Sequence, residues 1–239
     1  MSKSSKSSSF ILGIFVFLGL SMLGYLLGNA AIKYREYERT VTVKGLSERE
    51  FKANIVIWPI QFNQADNHLE NLYDRVERNT AMITNFLKAK GIEASEISFS
   101  SPSITDKSAQ QYGGADRAEF RYTAIQTVTV YSRNPGKVRP LMSLLSGLGR
   151  KGIVFTGTDY GSQVEYLFTR LNEVKPEMIE EATTRAREVA EKFASDSQSS
   201  LGKIKRASQG QFSISARDNN NPHIKRIRVV STVEYYLSD

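Results

Sequence analysis

The chain has 239 residues, of which 40% are hydrophobic, and it carries a formal net charge of +7 without a single cysteine. The absence of cysteine excludes disulfide bonds, thiol nucleophiles and thiolate metal sites. Because His68 and His223 are the only histidines, imidazole-rich zinc or iron sites are excluded too, and no Asp-rich loop has the spacing of a calcium or magnesium site. We therefore expect no metal centre and no cofactor.

The first predicted element is an apolar segment near the N-terminus. Residues 1–9 are polar and basic, and the nineteen residues of Phe10–Gly28 contain no charge. As a helix they span roughly 28 Å, close to the hydrocarbon thickness of a bilayer. We interpret residues 10–30 as an uncleaved transmembrane signal anchor. Cleavage at Gly28-Asn29-Ala30 is the alternative, since this is a passable small-x-small site.

Positive charges indicate how this helix is oriented. Lys3 and Lys6 favour a cytoplasmic N-terminus, which predicts a single-pass protein of the inner membrane with its bulk in the periplasm or on the extracellular side. Residues 31–39 form a charged and aromatic connector. Gly24 and Gly28 make a G-x-x-x-G pair through which two anchors would pack closely, although glycine is also common in such spans for other reasons.

The rest of the chain, residues 40–239, is expected to form one extracytoplasmic domain. Thr40–Lys44 reads as a strand, Gly45–Glu50 as a turn and Phe51–Asn63 as a strand that is apolar on both faces. Proline cannot donate to a sheet ladder, so the second strand is predicted to be an edge or bulged at its proline and to invite pairing with another subunit. The candidate residues for this contact are Ile55, Ile57, Trp58 and Pro59.

Helices and strands then alternate. A helix is predicted over residues 67–90, opened by a capping box of Asn67 and Glu70 and ended by Gly91. Asn134 precedes a second helix. Strands are predicted around 97–101 and over 120–132, 152–158 and 162–172, with a polar loop at 107–118.

The clearest soluble helix is predicted over Pro176–Leu201. Its apolar residues recur at steps of three and four, which indicates one buried face. Pro176 suits the first helical position. Because Ala182 and Ala186 lie at the centre of that face, whatever packs there can approach closely, and we interpret this helix as the lid of a sheet.

The C-terminal part is predicted to be two strands, 204–215 and 224–237, joined by a loop. From Lys203 to Asp239 there are seven Lys or Arg residues against three acidic residues. A solvated basic face is the simplest interpretation, and a patch for anionic lipid or envelope polymer is the alternative. No nucleic-acid partner is expected, because aromatic residues do not interleave these positions. The candidate patch consists of Lys203, Lys205, Arg206, Lys225, Arg226 and Arg228.

Catalytic motifs are missing from the sequence. There is no G-x-S-x-G, and neither histidine has the context of a triad base. Adjacent acids such as Glu180 and Glu181 point in different directions on a helix, as on an ordinary solvated face. We therefore predict no catalytic residues and no enzyme activity.

Three segments together resemble the SIMPL-domain family. They are the opening Val41–Gly45, the central FRYTAIQTVTVYSRNPGKV, and the run EEATTRAREVAEKFASDSQSSLGKI, in which alanine repeats lead to a Leu-Gly-Lys step. The resemblance implies an α+β fold of curved, mainly antiparallel sheet packed with helices in a periplasmic or surface-exposed domain. It also implies a link to oxidative-stress tolerance and, for some members, large ring- or barrel-shaped homo-oligomers.

We accordingly expect a membrane-anchored envelope protein that forms a large ring- or cage-like homo-oligomer with a structural, scaffold or channel-like role. Its expected partners are the membrane and further copies of itself. The alternative is a monomer or small oligomer that binds anionic lipid or a cell-envelope polymer.

Overall fold

The structure, a computed structural model, describes residues 4–37, 39–109, 119–156 and 163–238. It has an N-terminal apolar helix followed by sheets packed with helices, which confirms the predicted α+β class. Every strand pair with a described register is antiparallel. Parts of the predicted loop at 107–118 and of the strands predicted at 152–158 and 162–172 lie outside the described residues, as does Lys3.

The helices and strands follow in chain order. The helices are α1 (Ser4–Tyr37), α2 (Leu69–Ala89), α3 (Pro135–Leu144), α4 (Ser146–Gly149) and α5 (Leu171–Asp196), with short 3-10 helices at Ala94–Glu96 and Lys107–Ala109. The strands are β1 (Thr40–Lys52), β2 (Ile55–Asp66), β3 (Ile97–Phe99), β4 (Ser103–Asp106), β5 (Tyr122–Ser132), β6 (Val154–Phe155), β7 (Glu165–Leu167), β8 (Ser200–Gln209), β9 (Ser213–Ala216) and β10 (Ile224–Ser238).

The chain forms two compact units. The first unit comprises Met1–Glu48, Val174–Ser213 and Arg228–Asp239, and the second comprises Arg49–Glu173 and Ile214–Ile227. One sheet has the strand order β1-β10-β8, with β9 also paired to β10. The other has the order β3-β5-β2-β6, with β4 paired to β5 and β7 paired to β2.

In the first unit, β1 and α5 meet backbone to backbone. A Cβ atom added at Gly45 would lie 1.8 Å from the carbonyl oxygen of Ala182 and 2.6 Å from the amide nitrogen of Ala186. The turn predicted at Gly45–Glu50 is therefore wrong: β1 runs through it, and the missing side chain serves close packing instead of a turn. The expectation that the alanine face of the helix allows close approach is confirmed.

The helix α5 differs from its prediction at both ends. It begins at Leu171, so Pro176 lies inside it and not at its first position. It ends at Asp196, where Gln198 takes a φ of 53° and the Ser199 N–H donates to the Ala194 carbonyl at 2.8 Å, a Schellman-type stop. Its buried residues are Met178, Ala182, Ala186, Ala190 and Ala194, a row at steps of four.

In the second unit, β2 is the central strand. It pairs with β5 from Val56 to Asp66, and α2 packs on these two strands. Trp58 and Phe62 project into the core together with Leu72 and Ile83 of α2. The expected apolar face of α2 is thus buried by the sheet.

In the second unit, the predicted start of α2 is wrong and its predicted end is confirmed. The capping box predicted at Asn67 is wrong, because α2 begins at Leu69 and the Asn67 Oδ1 accepts from the Arg121 N–H at 2.8 Å. Gly91 ends α2 with a φ of 83°, as predicted. The Asn134 side chain accepts from the Lys137 N–H at 3.1 Å and so caps α3.

Candidate functional site

The strand β8 is exposed along nearly its whole length. Only Leu201 among its ten residues is half-buried, and Ile204 is 42% exposed. The strand pairs with β10 from Ser200 to Gln209, and on its outer side no strand pairs with it within the part of the chain that the structure describes. Edge strands with unpaired backbone groups are ready to pair with another chain.

The strand β1 is the opposite edge of the same sheet. Over the described ranges it pairs only with β10, while its buried face packs under α5 through Val43 and Gly45. Within the described residues no further strand pairs with β1 or with β8, so both are edge strands of this sheet.

Three of the predicted basic residues lie on β8. The Lys205 ammonium is 3.2 Å from the Glu234 carboxylate, which also accepts from the Thr40 hydroxyl at 2.9 Å. The hydrogen bond from Thr40, followed by that from Lys205, lowers the pKa of Glu234. Lys203 and Arg206 are exposed on the same strand. Lys205 therefore contributes to the β8–β10 pair, and Lys203 and Arg206 add positive charge to its surface.

The other three predicted basic residues have their own contacts in β10. Arg226 donates to the Arg217 carbonyl at 3.3 Å, and Arg228 lies 4.0 Å from Glu48. Burial lowers the pKa of Lys225. Lys225 and Arg226 belong to the second unit, whereas Arg228 belongs to the first.

The structure revises the predicted edge in β2. Ile55 and Ile57 pair with β7, so the prediction of an open edge is wrong at these two residues. Trp58 is only 4% exposed and lies in the core. Pro59 pairs opposite Thr129 and falls between the segments that pair with β7 and β6, so β2 has a described strand partner on one side only at this point.

The predicted N-terminal helix is present as α1. Its segment Phe10–Ala31 has a mean hydropathy of 2.4 and is unburied, so it is long and apolar enough to cross a membrane, a test that a signal sequence also passes. A Cβ atom added at Gly24 or Gly28 would meet nothing within 4 Å. The face that carries the G-x-x-x-G pair is therefore open.

Across residues 4–37, 39–109, 119–156 and 163–238, no group of three or more His, Cys, Asp or Glu side chains is placed to hold a metal ion.

A comparison with models of protein families identifies the family of the chain. The family model SIMPL, described as a protein of unknown function (DUF541), matches residues 41–233, about four fifths of the chain. The chain belongs to the SIMPL family. The match runs from β1 into β10, so it covers both sheets, and α1 lies outside it. Among curated proteins, none matches the chain.

The exposure of β8 is the feature that sequence reasoning missed. The sequence predicts a strand only from Ile204, whereas β8 begins at Ser200. The signal was available, because only Leu201 and Ile204 are large and apolar in ten residues, too few for a strand with a buried face.

Proposed function

We propose that this SIMPL protein is anchored by α1 in the inner membrane and that its domain assembles outside the cytoplasm with further copies of itself. The product would be a ring- or cage-like homo-oligomer with a structural, scaffold or channel-like role. The family resemblance extends the proposal to tolerance of oxidative stress.

The two open edges of one sheet carry this proposal. If β8 of one copy pairs with β1 of the next, the sheet continues from subunit to subunit. The contact joins two different surfaces, so repetition gives a closed ring or an open filament and not a twofold dimer. The ten residues of β8 offer roughly 33 Å of backbone for this pairing.

The anchor would assist assembly. Tethering every copy to one membrane raises the effective concentration at which the edges meet. Gly24 and Gly28 add a second contact, because small residues let two helices approach closely in a bilayer.

The test compares Ala207→Pro with Ser208→Pro in the full chain, purified in a mild detergent. Neighbouring N–H groups of an edge strand point to opposite sides, so one proline removes an N–H that faces β10 and the other removes an outward N–H. Both side chains are exposed, which makes the two variants a matched pair.

The wild type should give a large, discrete particle mass. The variant that lacks the outward N–H should keep the wild-type melting temperature and lose the large mass. The variant that lacks the N–H facing β10 should have a lower melting temperature. A monomeric wild type, or an assembly that survives both prolines, would contradict edge pairing.

A second candidate function is binding of anionic lipid or an anionic envelope polymer. The observation that favours it is the exposure of Lys203 and Arg206 on β8. The double variant Lys203→Gln/Arg206→Gln should lose salt-sensitive binding to liposomes that contain anionic lipid. The double variant Arg78→Gln/Lys88→Gln, with the same change of charge on exposed residues of α2, should keep it. Equal liposome binding by the two double variants would contradict a lipid-binding role of Lys203 and Arg206.

A further inference from the structure

The second unit contains a cavity of about 490 Å³ beside the start of α3. Three basic side chains line it, Lys52, Arg139 and His223. Apolar surface comes from Ala53, Pro135 and Pro140. This volume lies within the range of about 300 to 1,000 Å³ that is typical of small-molecule sites, which also combine apolar walls with a few polar groups.

The charge of this cavity is unbalanced. No Asp or Glu is among its described lining residues. Lys52 and Arg139 have no acidic partner within the ranges that the structure describes. Two unpaired cations that face one cavity favour an anionic occupant, because like charges repel each other until a negative group lies between them.

His223 adds a hydrogen-bonding argument. Its Nε2 lies 3.3 Å from the Arg139 Nη1, and since a guanidinium can only donate, Nε2 accepts and the ring proton lies on Nδ1. That Nδ1 is buried and has no partner among the described residues. Burial, followed by the charge of Arg139, lowers the pKa of His223, so the ring is neutral at pH 7.

Three separate segments hold these side chains in place. Lys52 is the last residue of β1, and Arg139 lies in the second turn of α3, whose N-terminus Asn134 caps. The His223 carbonyl accepts from the Ala53 N–H at 2.8 Å, which fixes the loop before β10 beside the end of β1. The positive end of α3 adds to the field at the cavity.

We propose that this cavity binds a small organic anion. Its carboxylate or phosphate group would lie among Lys52, Arg139 and His223, and its apolar body would contact Ala53, Pro135 and Pro140. Arg139 would then donate to the anion as well as to the imidazole. Such binding would be independent of self-assembly.

The test uses the fact that the chain has two histidines. The full chain is labelled with ¹³C in its histidine rings, purified in a non-ionic detergent, and titrated with phenyl phosphate or with benzoate. Sodium chloride at equal ionic strength is the control. His68→Gln leaves one ring signal and so assigns His223.

The His223 signal should shift saturably with at least one of the two anions while the His68 signal stays in place. The anion that binds more tightly identifies phosphate or carboxylate as the preferred group. Arg139→Gln should weaken binding roughly tenfold to hundredfold, as expected for the loss of a charged hydrogen bond. Arg150→Gln, the same change at an exposed residue, should leave the affinity unchanged.

A His223 chemical shift that does not change with either anion would overturn the proposal, and so would an unchanged affinity in Arg139→Gln. If Arg139→Gln fails to fold, Lys52→Gln replaces it, because Lys52 is exposed at a strand end. An unchanged affinity for the anion in Lys52→Gln would also overturn the proposal.

Discussion

In the second unit, Trp58 and Phe62 fill the space between sheet and helix with large side chains, whereas in the first unit β1 reaches the backbone of α5 through Gly45, Ala182 and Ala186. A core of large side chains is damaged when atoms are removed, because a cavity remains. A core of glycine and alanine is damaged when atoms are added, because no space exists for them. The two units should therefore respond oppositely to mutation.

The largest effect is expected for Gly45→Ala. The new methyl group would lie 1.8 Å from the Ala182 carbonyl oxygen, which is backbone and cannot rotate away. We expect a loss of more than about 4 kcal/mol, beyond the usual range for a single substitution. Thermal unfolding of the full chain in detergent, followed by circular dichroism, measures it.

Two glycines of the second unit are the controls. Gly147→Ala adds a methyl group with nothing within 4 Å and should leave the melting temperature nearly unchanged. Gly91→Ala should cost about 1 kcal/mol, because φ is 83° there and the nearest atom is the flexible end of Lys137. If Gly45→Ala melts no lower than Gly91→Ala, the backbone contact is not what holds α5 on β1.

The converse effect is expected for Leu72→Ala in the second unit. Leu72 is fully buried on α2, so its truncation should cost about 3 kcal/mol through lost burial and the remaining cavity. Leu69→Ala, one turn earlier on the same helix and 42% exposed, should cost less than about 1 kcal/mol. Chemical denaturation gives both values, and equal losses would show that α2 is not a core helix.

The same contrast explains what could be predicted from the sequence. The helices α2, α3 and α5 were predictable, because periodic apolar residues, the stop at Gly91 and the turn at residues 134–136 are local signals. The turn predicted at Gly45 is wrong because a glycine in a turn and a glycine packed under a helix look the same in the sequence. The helix that covers Gly45 lies more than 130 residues further along the chain. The start of α5 was missed because Leu171 and Asn172 lie at the end of the strand predicted over 162–172, and because Pro176 suits the first position of a helix.

The candidate sites were less predictable for the same reason. Lys52, Arg139 and His223 come from three distant segments, and no spacing in the sequence joins them. The six predicted basic residues were close in sequence, yet three lie on β8 and three on β10 with separate contacts. Proximity along the chain is thus a poor guide to a binding surface in a protein whose strands belong to two units.

The smallest effect is a dependence of stability on pH at Asp218 in the second unit. The Arg217 guanidinium, with help from Asn221 and Asn220, lowers the pKa of this carboxyl to about 2. A carboxyl with a lowered pKa in the folded state stabilises the fold above its unfolded pKa of about 3.8, and this contribution disappears as the pH falls toward 2. Because the Asp218 side chain is 41% exposed, solvent screens the pair and the contribution is modest.

Asp218→Asn should therefore melt slightly below the wild type at neutral pH, and the melting temperatures of the two proteins should converge between pH 4 and pH 2. A difference that stays constant over that range would mean that the side chain acts through the hydrogen bonds of its loop and not through its charge.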